Sequence, residues 1–98
     1  MSNVIVSKGI VEPKPITRVS MGAAREALID AGKLATVEAV IDGIEDETTR
    51  LKAHTWWEYS ATVRRNSKWI EMLAPAVGLT EEEIDELFIA ADNIDKEV

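Results

Sequence analysis

The 98-residue sequence contains no cysteine and only one histidine, His54. Without thiols the chain forms no disulfide, has no thiolate nucleophile and cannot build a cysteine-based zinc or iron-sulfur site. His54 has no second histidine with which to share a metal ion, and it lies among helix-forming residues, which favours an ordinary, partly packed side chain. We therefore expect no metal site in this protein.

Long apolar runs are missing as well. No stretch approaches the roughly 18 residues that a membrane-spanning helix needs. The first residues, MSNVIVSKGIVEPKP, lack the extended hydrophobic core of a signal peptide. We therefore expect no membrane partner, and a protein that is made and used in a cytoplasm or in an assembly built there.

The sequence also lacks the common catalytic motifs. Its five glycines do not form a phosphate-binding loop, and the tail AADNIDKEV lacks the central glycine of an EF-hand calcium loop. The densest group of carboxylates, in residues 81–86, lies at the start of a predicted helix, where acidic side chains favour the positive end of the helix dipole. We therefore expect no enzymatic activity and no cofactor.

Basic residues are scarce in the last third of the chain. Residues 71–98 contain nine acidic side chains and one basic side chain, Lys96, whereas residues 50–68 contain five basic side chains and Glu58 as the one acid. The net charge is −7. Such segregation predicts one basic and one acidic face, which can pair within the fold, between subunits or with a partner.

Helical periodicity is what the sequence has in abundance. Apolar residues recur at i, i+3 and i+4 from Ser20 onward, which indicates one small helical domain. The expected fold is all-α, a small bundle of four to five short helices with an extended N-terminal arm. The first three predicted helices cover about 21–31, about 34–44, and Glu47 or Thr48 to about Arg65. A fourth helix is capped by Asn66 or Ser67 and is kinked or shortened to a single turn by Pro75. The last helix begins at Thr80.

The first 19 residues differ from this helical pattern. The short runs VIV and GIV have no helical period, and Pro13 and Pro15 remove backbone donors and favour extended conformations. We interpret residues 1–19 as an extended arm that lies outside the core and has room for one short strand. The helical domain then covers residues 20–94, followed by a C-terminal tail at 95–98. Arms of this kind commonly pair with a neighbouring chain.

One stretch, LAPAVGLTEEEIDELF at residues 73–88, has the spacing of a helix-turn-helix unit. Ala74 allows two helices to approach, Gly78 permits a left-handed turn, and Ile84 packs into the crossing. None of these roles is specific to DNA binding.

The helix after this turn argues against DNA recognition. Thr80 and Glu83 are spaced as a capping box, and Leu79 and Ile84 as a hydrophobic staple. The same helix, residues 81–91, carries five acidic residues and no basic one. Phosphate contacts from lysine and arginine supply much of the affinity of helix-turn-helix proteins, so we interpret the motif as a packing feature.

Two adjacent tryptophans, Trp56 and Trp57, stand out in a chain with three tryptophans, one tyrosine and one phenylalanine. Adjacent helical residues diverge by about 100°, so we expect one in the core and the other at its edge or in an interface, where tryptophan is enriched. The alternative, both partly packed in one small core, fits the sequence equally well. The candidate interface residues are Val4, Ile5, Val6, Ile10 and Val11 in the arm, and Trp56, Trp57, Tyr59, Arg64 and Arg65 in the third predicted helix.

The order of motifs in residues 16–91 resembles a family of small proteins encoded in the tail modules of tailed bacteriophages and prophages. The resemblance is carried by AREALIDAGKL, by WEYS at residues 57–60, and by the cap at residues 78–80 followed by LFIAA. Genes of this family commonly lie near those for tail fibres. The resemblance implies a virion component or an assembly factor, found in the virion or the host cytoplasm, with no catalytic residues to carry over.

The arm, the tryptophan pair and the segregated charges all favour binding to other proteins. Together with the resemblance, they lead us to expect a phage tail component or a fibre-assembly chaperone. Its expected partners are other phage structural proteins, such as the tail fibre or tail tip, and further copies of itself. Two alternatives stay open: a helix-turn-helix-like DNA-binding regulator, and an acidic inhibitor that mimics nucleic acid.

Overall fold

The computed structural model describes residues 16–97, which form five α-helices and one two-stranded ribbon. Helices account for most of this part of the chain, which confirms the predicted small, mostly helical fold. The elements are β1 (Arg18–Ser20), α1 (Met21–Asp30), α2 (Leu34–Asp42), α3 (Glu47–Tyr59), β2 (Thr62–Arg64), α4 (Lys68–Val77) and α5 (Glu81–Lys96).

Four of the five helices in residues 16–97 begin at a side chain that accepts a hydrogen bond from the first turn. Ser20 accepts from the N–H of Ala23 at 3.0 Å, as predicted for the cap of α1. Thr80 and Glu83 form the complete predicted capping box, with reciprocal bonds of 3.1 and 2.9 Å. Because each cap is worth about 1 kcal/mol and is encoded within a few residues, these helix starts are readable from sequence. The two other side-chain caps are Asp46 for α3 and Ser67 for α4.

Glycines end α1 and α4 in the left-handed conformation, with φ of 72° at Gly32 and 91° at Gly78. After α4 the N–H of Leu79 donates to the carbonyl of Ala74 at 2.9 Å, and the N–H of Gly78 donates to that of Pro75 at 3.1 Å. This pair of bonds is a Schellman motif, which satisfies carbonyls that the end of a helix leaves unpaired. The turn between α4 and α5 is therefore defined by local hydrogen bonding.

The fourth helix contains Pro75 in its interior. Of the two effects predicted for this proline, a kink or shortening to a single turn, the shortening is wrong, because α4 runs for ten residues, Lys68–Val77. Pro75 lacks the N–H that would bond to the carbonyl of Glu71, so α4 loses one intrahelical hydrogen bond. Burial of Leu73 and Val77 on the same helix offsets that loss.

The β-ribbon corrects two predicted boundaries. β1 and β2 pair antiparallel, with Val19 opposite Val63, and both valines are only 3% exposed. The chain from residue 18 onward is therefore part of the folded domain and not of an arm, and the third helix ends at Tyr59 instead of continuing to Arg65. Pairing two short β-branched segments over the core outweighs the weak local preference for helix in this region.

The last helix extends beyond the predicted start of the tail. We predicted a tail from residue 95, but α5 continues to Lys96. Asp95 accepts hydrogen bonds from the backbone N–H of Ser20 at 3.0 Å and from the Ser20 hydroxyl at 2.7 Å. Because Ser20 also caps α1, this contact joins the end of the last helix to the start of the first.

The core lies between α1, α5 and the inner face of the ribbon, with α2 packed on α4 beside them. The small buried residues Ala23, Ala27 and Ala91 belong to α1 and α5 and allow these helices to approach closely. Ile41 of α2 and Ala53 of α3 are fully buried. Since α3 packs mainly on α2, its opposite side faces outward.

Candidate protein-interaction surface

The three tryptophans form a continuous row that leads from the core to the surface. The ring centroids of Trp57 and Trp56 lie 6.1 Å apart at an interplanar angle of 40°, and those of Trp56 and Trp69 lie 6.1 Å apart at 27°. Trp57 is buried, whereas Trp56 and Trp69 are partly exposed. A cation lies against each end of the row, with the Arg25 guanidinium 4.2 Å from the Trp57 ring and the Lys68 ammonium 5.1 Å from the Trp69 ring.

Trp57 is a core residue and not an interface residue, contrary to its place among the candidates. Its indole N–H donates to the Glu38 carboxylate at 3.4 Å, and Arg25 donates to its backbone carbonyl. Arg25 and Glu38 also approach each other to 4.0 Å, so α1, α2 and α3 meet around this one side chain. The predicted split between the two adjacent tryptophans is correct, and Trp56 is the one at the edge.

The outward side of α3 carries two large apolar side chains. Tyr59, the last residue of the helix, is 79% exposed, and Leu51 is 57% exposed. Thr55 and Glu58 are also exposed on this helix. Apolar side chains that are scattered singly over a surface need no explanation, but here an aromatic and an aliphatic residue both extend from the outward side of α3. We call Leu51 and Tyr59, with the edge residue Trp56, the α3 surface.

Arg64 and Arg65 are adjacent but point to different surroundings. Arg64 is exposed on the ribbon, directly opposite Arg18 of β1. Arg65 bonds to the start of α5, with Nε 2.8 Å from the Asp85 carboxylate and Nη2 2.7 Å from that of Glu81. The hydrogen bond that Arg65 donates to Asp85, and then the one that it donates to Glu81, raise the pKa of Arg65 above its ordinary value. Arg65 therefore forms ion pairs within the fold, whereas Arg64 faces solvent.

The residues of the helix-turn-helix spacing lie on either side of the turn at Gly78. Ala74 and Ile84 are both buried and line the same apolar cavity in the core. All five acidic residues of the first half of α5 are exposed, although two of them are paired with Arg65. The first half of α5 therefore presents negative charge to its surroundings.

One apolar cavity of about 80 Å³ penetrates the core. Trp56, Trp57 and Phe88 are among its lining residues, and all the other lining side chains are apolar too. Ligand pockets usually measure about 300–1,000 Å³ and contain a few convergent polar groups, so this cavity is a packing space without catalytic or orienting groups. Within residues 16–97 we find no cluster of three or more potential metal ligands, and no helix there is long and apolar enough to cross a membrane.

The predicted interface residues of the arm, Val4, Ile5, Val6, Ile10 and Val11, lie outside the described residues. The prediction also omitted three residues that the structure places at or near the surface. Trp69 could have been included because tryptophan is enriched at interfaces. Arg18 and Leu51 had no such signal, since the exposure of each depends on which face of a ribbon or helix is covered by the rest of the fold.

Comparison of the chain with family models, with curated proteins and with solved structures found no match in any of the three.

Proposed function

We propose that the protein is a phage tail-associated structural or assembly protein that acts through protein–protein contacts. The observation that carries this proposal is the α3 surface, on which Leu51 and Tyr59 extend from the outward side of the helix that also carries the partly exposed Trp56. Tyrosine and tryptophan are enriched at interface hot spots, because they bury a large area at a small cost in conformational entropy. The core cavity is lined only by apolar side chains and offers no catalytic group.

The assignment to a phage tail rests on the resemblance of residues 16–91 to tail-module proteins. It implies that the partners are the tail fibre, the tail tip or further copies of this chain, in the virion or in the host cytoplasm during assembly. A tail component and an assembly chaperone use the same kind of contact surface. They differ in whether the chain remains in the finished particle, which mass spectrometry of purified virions distinguishes.

The α3 surface is tested by the double variant Leu51→Ala/Tyr59→Ala, co-expressed with tail-fibre and tail-tip proteins of the same phage. Both side chains are more than half exposed, so we expect the variant to fold. Loss of two hot-spot contacts of more than about 1 kcal/mol each weakens a complex by at least about tenfold. Titration by isothermal calorimetry measures this loss.

Ile29→Ala/Ile89→Ala is the matched control, because these isoleucines are 57% and 52% exposed on α1 and α5. The control should bind as the unmodified protein does. If both double variants bind normally, or if neither tail protein binds the unmodified chain, the proposal is wrong.

A second candidate is an acidic inhibitor that imitates nucleic acid. It is favoured by the exposure of all five carboxylates at the start of α5. It is weakened by Arg65, which pairs with two of them, Glu81 and Asp85, and offsets one of their two charges. A triple change of Glu82, Glu83 and Glu86 to lysine should abolish inhibition of a DNA-binding defence protein, and unchanged inhibition would reject the mimic. A DNA-reading regulator has less support, because the helix that would enter the groove is acidic.

A further inference from the structure

The outward face of the ribbon places two arginines side by side. Arg18 and Arg64 are partners in the antiparallel register. The N–H of Arg65 donates to the carbonyl of Thr17 at 2.8 Å, so the pair one step along is hydrogen-bonded. Arg18 and Arg64 therefore form a non-hydrogen-bonded pair, the position at which cross-strand side chains approach most closely. Their Cβ atoms are held about 4.5–5.5 Å apart by this geometry.

This pair is unfavourable as it stands. Like charges directly opposite each other destabilise a strand pair, and both arginines are exposed. Within residues 16–97 we find no carboxylate within 4.0 Å of either guanidinium, whereas the neighbouring Arg65 has two. Burial of Val19 and Val63 on the inner face of the ribbon is sufficient to explain why the two strands pair. The two charges are therefore not needed for folding.

The same two charges suit an oxyanion placed between them. A carboxylate has two oxygens and accepts several N–H bonds, and the planar guanidinium forks of two arginines can bond it from both sides. Thr62, which lies two residues from Arg64 on the same face of β2, is exposed and adds a hydroxyl donor. The outward face of the ribbon, formed by Arg18, Thr62 and Arg64, is called the arginine face below.

We propose that the arginine face binds an acidic segment of a partner protein, with one carboxylate held between Arg18 and Arg64. This inference rests on the proposed function only in taking the occupant to be a protein. The net charge of −7 opposes a polyanion such as nucleic acid more strongly than it opposes a segment with one carboxylate. Asp95 is also bonded to Ser20 on the adjacent part of β1. A protein can supply a single carboxylate at this point, whereas a polyanion brings further phosphates against Asp95.

The test uses the full chain and a strand-length, threonine-rich peptide that contains one central glutamate. We expect the peptide to shift the backbone amide signals of residues 17–20 and 62–65 in NMR titrations at low ionic strength. Arg18→Gln/Arg64→Gln removes two charge-assisted partners of the carboxylate and should weaken binding by about tenfold or more. The variant Lys33→Gln/Lys52→Gln changes the net charge equally at solvent-accessible positions between α1 and α2 and on α3 and should bind the peptide as the unmodified chain does.

Two comparison probes identify the occupant. A peptide with glutamine in place of glutamate should not bind. A single-stranded oligonucleotide of equal length should bind more weakly than the glutamate peptide. Three outcomes would each overturn the inference. The peptide does not bind, it binds the two charge variants with equally weakened affinity, or the oligonucleotide binds more tightly than the peptide. The proposed function is tested separately through Leu51 and Tyr59, so it can survive the failure of the arginine face.

Discussion

At the scale of single residues, the structure assigns different roles to side chains that are adjacent in sequence. Trp56 and Trp57 have the same chemistry, yet Trp57 is 4% exposed and anchored by Arg25 and Glu38, while Trp56 lies at the edge. The helical angle between neighbours predicts that they diverge. It does not predict which of the two faces inward, because that depends on where α1 and α2 pack.

Replacement of each tryptophan by alanine should separate these roles. Trp57→Ala leaves a large hole in the core and should lower the free energy of unfolding by about 3–5 kcal/mol. Trp56→Ala removes a partly exposed ring and its stacking contacts and should cost about 1–2 kcal/mol. Urea denaturation followed by circular dichroism measures both values. A larger loss for Trp56 than for Trp57 would contradict the assignment.

At the scale of elements, local sequence predicts capping residues and glycine turns more reliably than it predicts how far a helix extends. The capping box of α5 and the glycine that ends α4 are correctly predicted from a few residues each. The end of α3 and the existence of β2 are not, because residues 60–65 meet their partner β1 about 40 residues earlier in the chain. Pairing at that separation leaves no periodic signal within a short window of sequence.

Two glycine substitutions test how local backbone conformation affects stability. Gly78 has φ of 91°, so Gly78→Ala forces a side chain into the left-handed region and should lower the free energy of unfolding by about 1–2 kcal/mol. Gly22 lies in the first turn of α1 with open space around it. Gly22→Ala should therefore stabilise the protein, by about 0.5 kcal/mol. The midpoint temperature of thermal unfolding should fall for Gly78→Ala and rise for Gly22→Ala. A rise for both variants would show that the left-handed conformation at Gly78 does not require glycine.

At the scale of the whole molecule, the fold is closed by contacts between its first and last elements. α1 packs against α5, and Asp95 bonds to Ser20 across 75 positions of sequence. The backbone N–H of Ser20, and then its hydroxyl, lower the pKa of Asp95 below its ordinary value. The stability that this contact between the first and last helices provides therefore depends on pH.

The sign of that coupling follows from the lowered pKa. A carboxylate with a lower pKa in the folded state stabilises the protein above its unfolded-state pKa of about 3.9, and this contribution is lost as the pH falls through the folded-state pKa. Asp95→Asn should therefore be less stable than the unmodified protein near neutral pH and approach it in acid. Urea denaturation between about pH 7 and pH 2 measures this convergence.

Glu58→Gln serves as the control, because Glu58 is an exposed carboxylate of α3 for which we find no hydrogen-bond partner among residues 16–97. The gap in stability between this variant and the unmodified protein should stay small and change little with pH. A pH-independent gap for Asp95→Asn would show that its effect comes from packing and not from the charge.

The sequence by itself determined the helical class, the starts of α1 and α5, the glycine turns and the acidic character of α5. These features depend on hydrogen bonds and periodicity within a few neighbouring residues. Tertiary structure alone decided that residues 18–20 and 62–64 pair, that α5 reaches Lys96, that Trp57 is buried and that Arg18 meets Arg64. Each of these depends on segments that are distant in sequence, and the free energy that decides them comes from burial and pairing that exist only after the chain has folded.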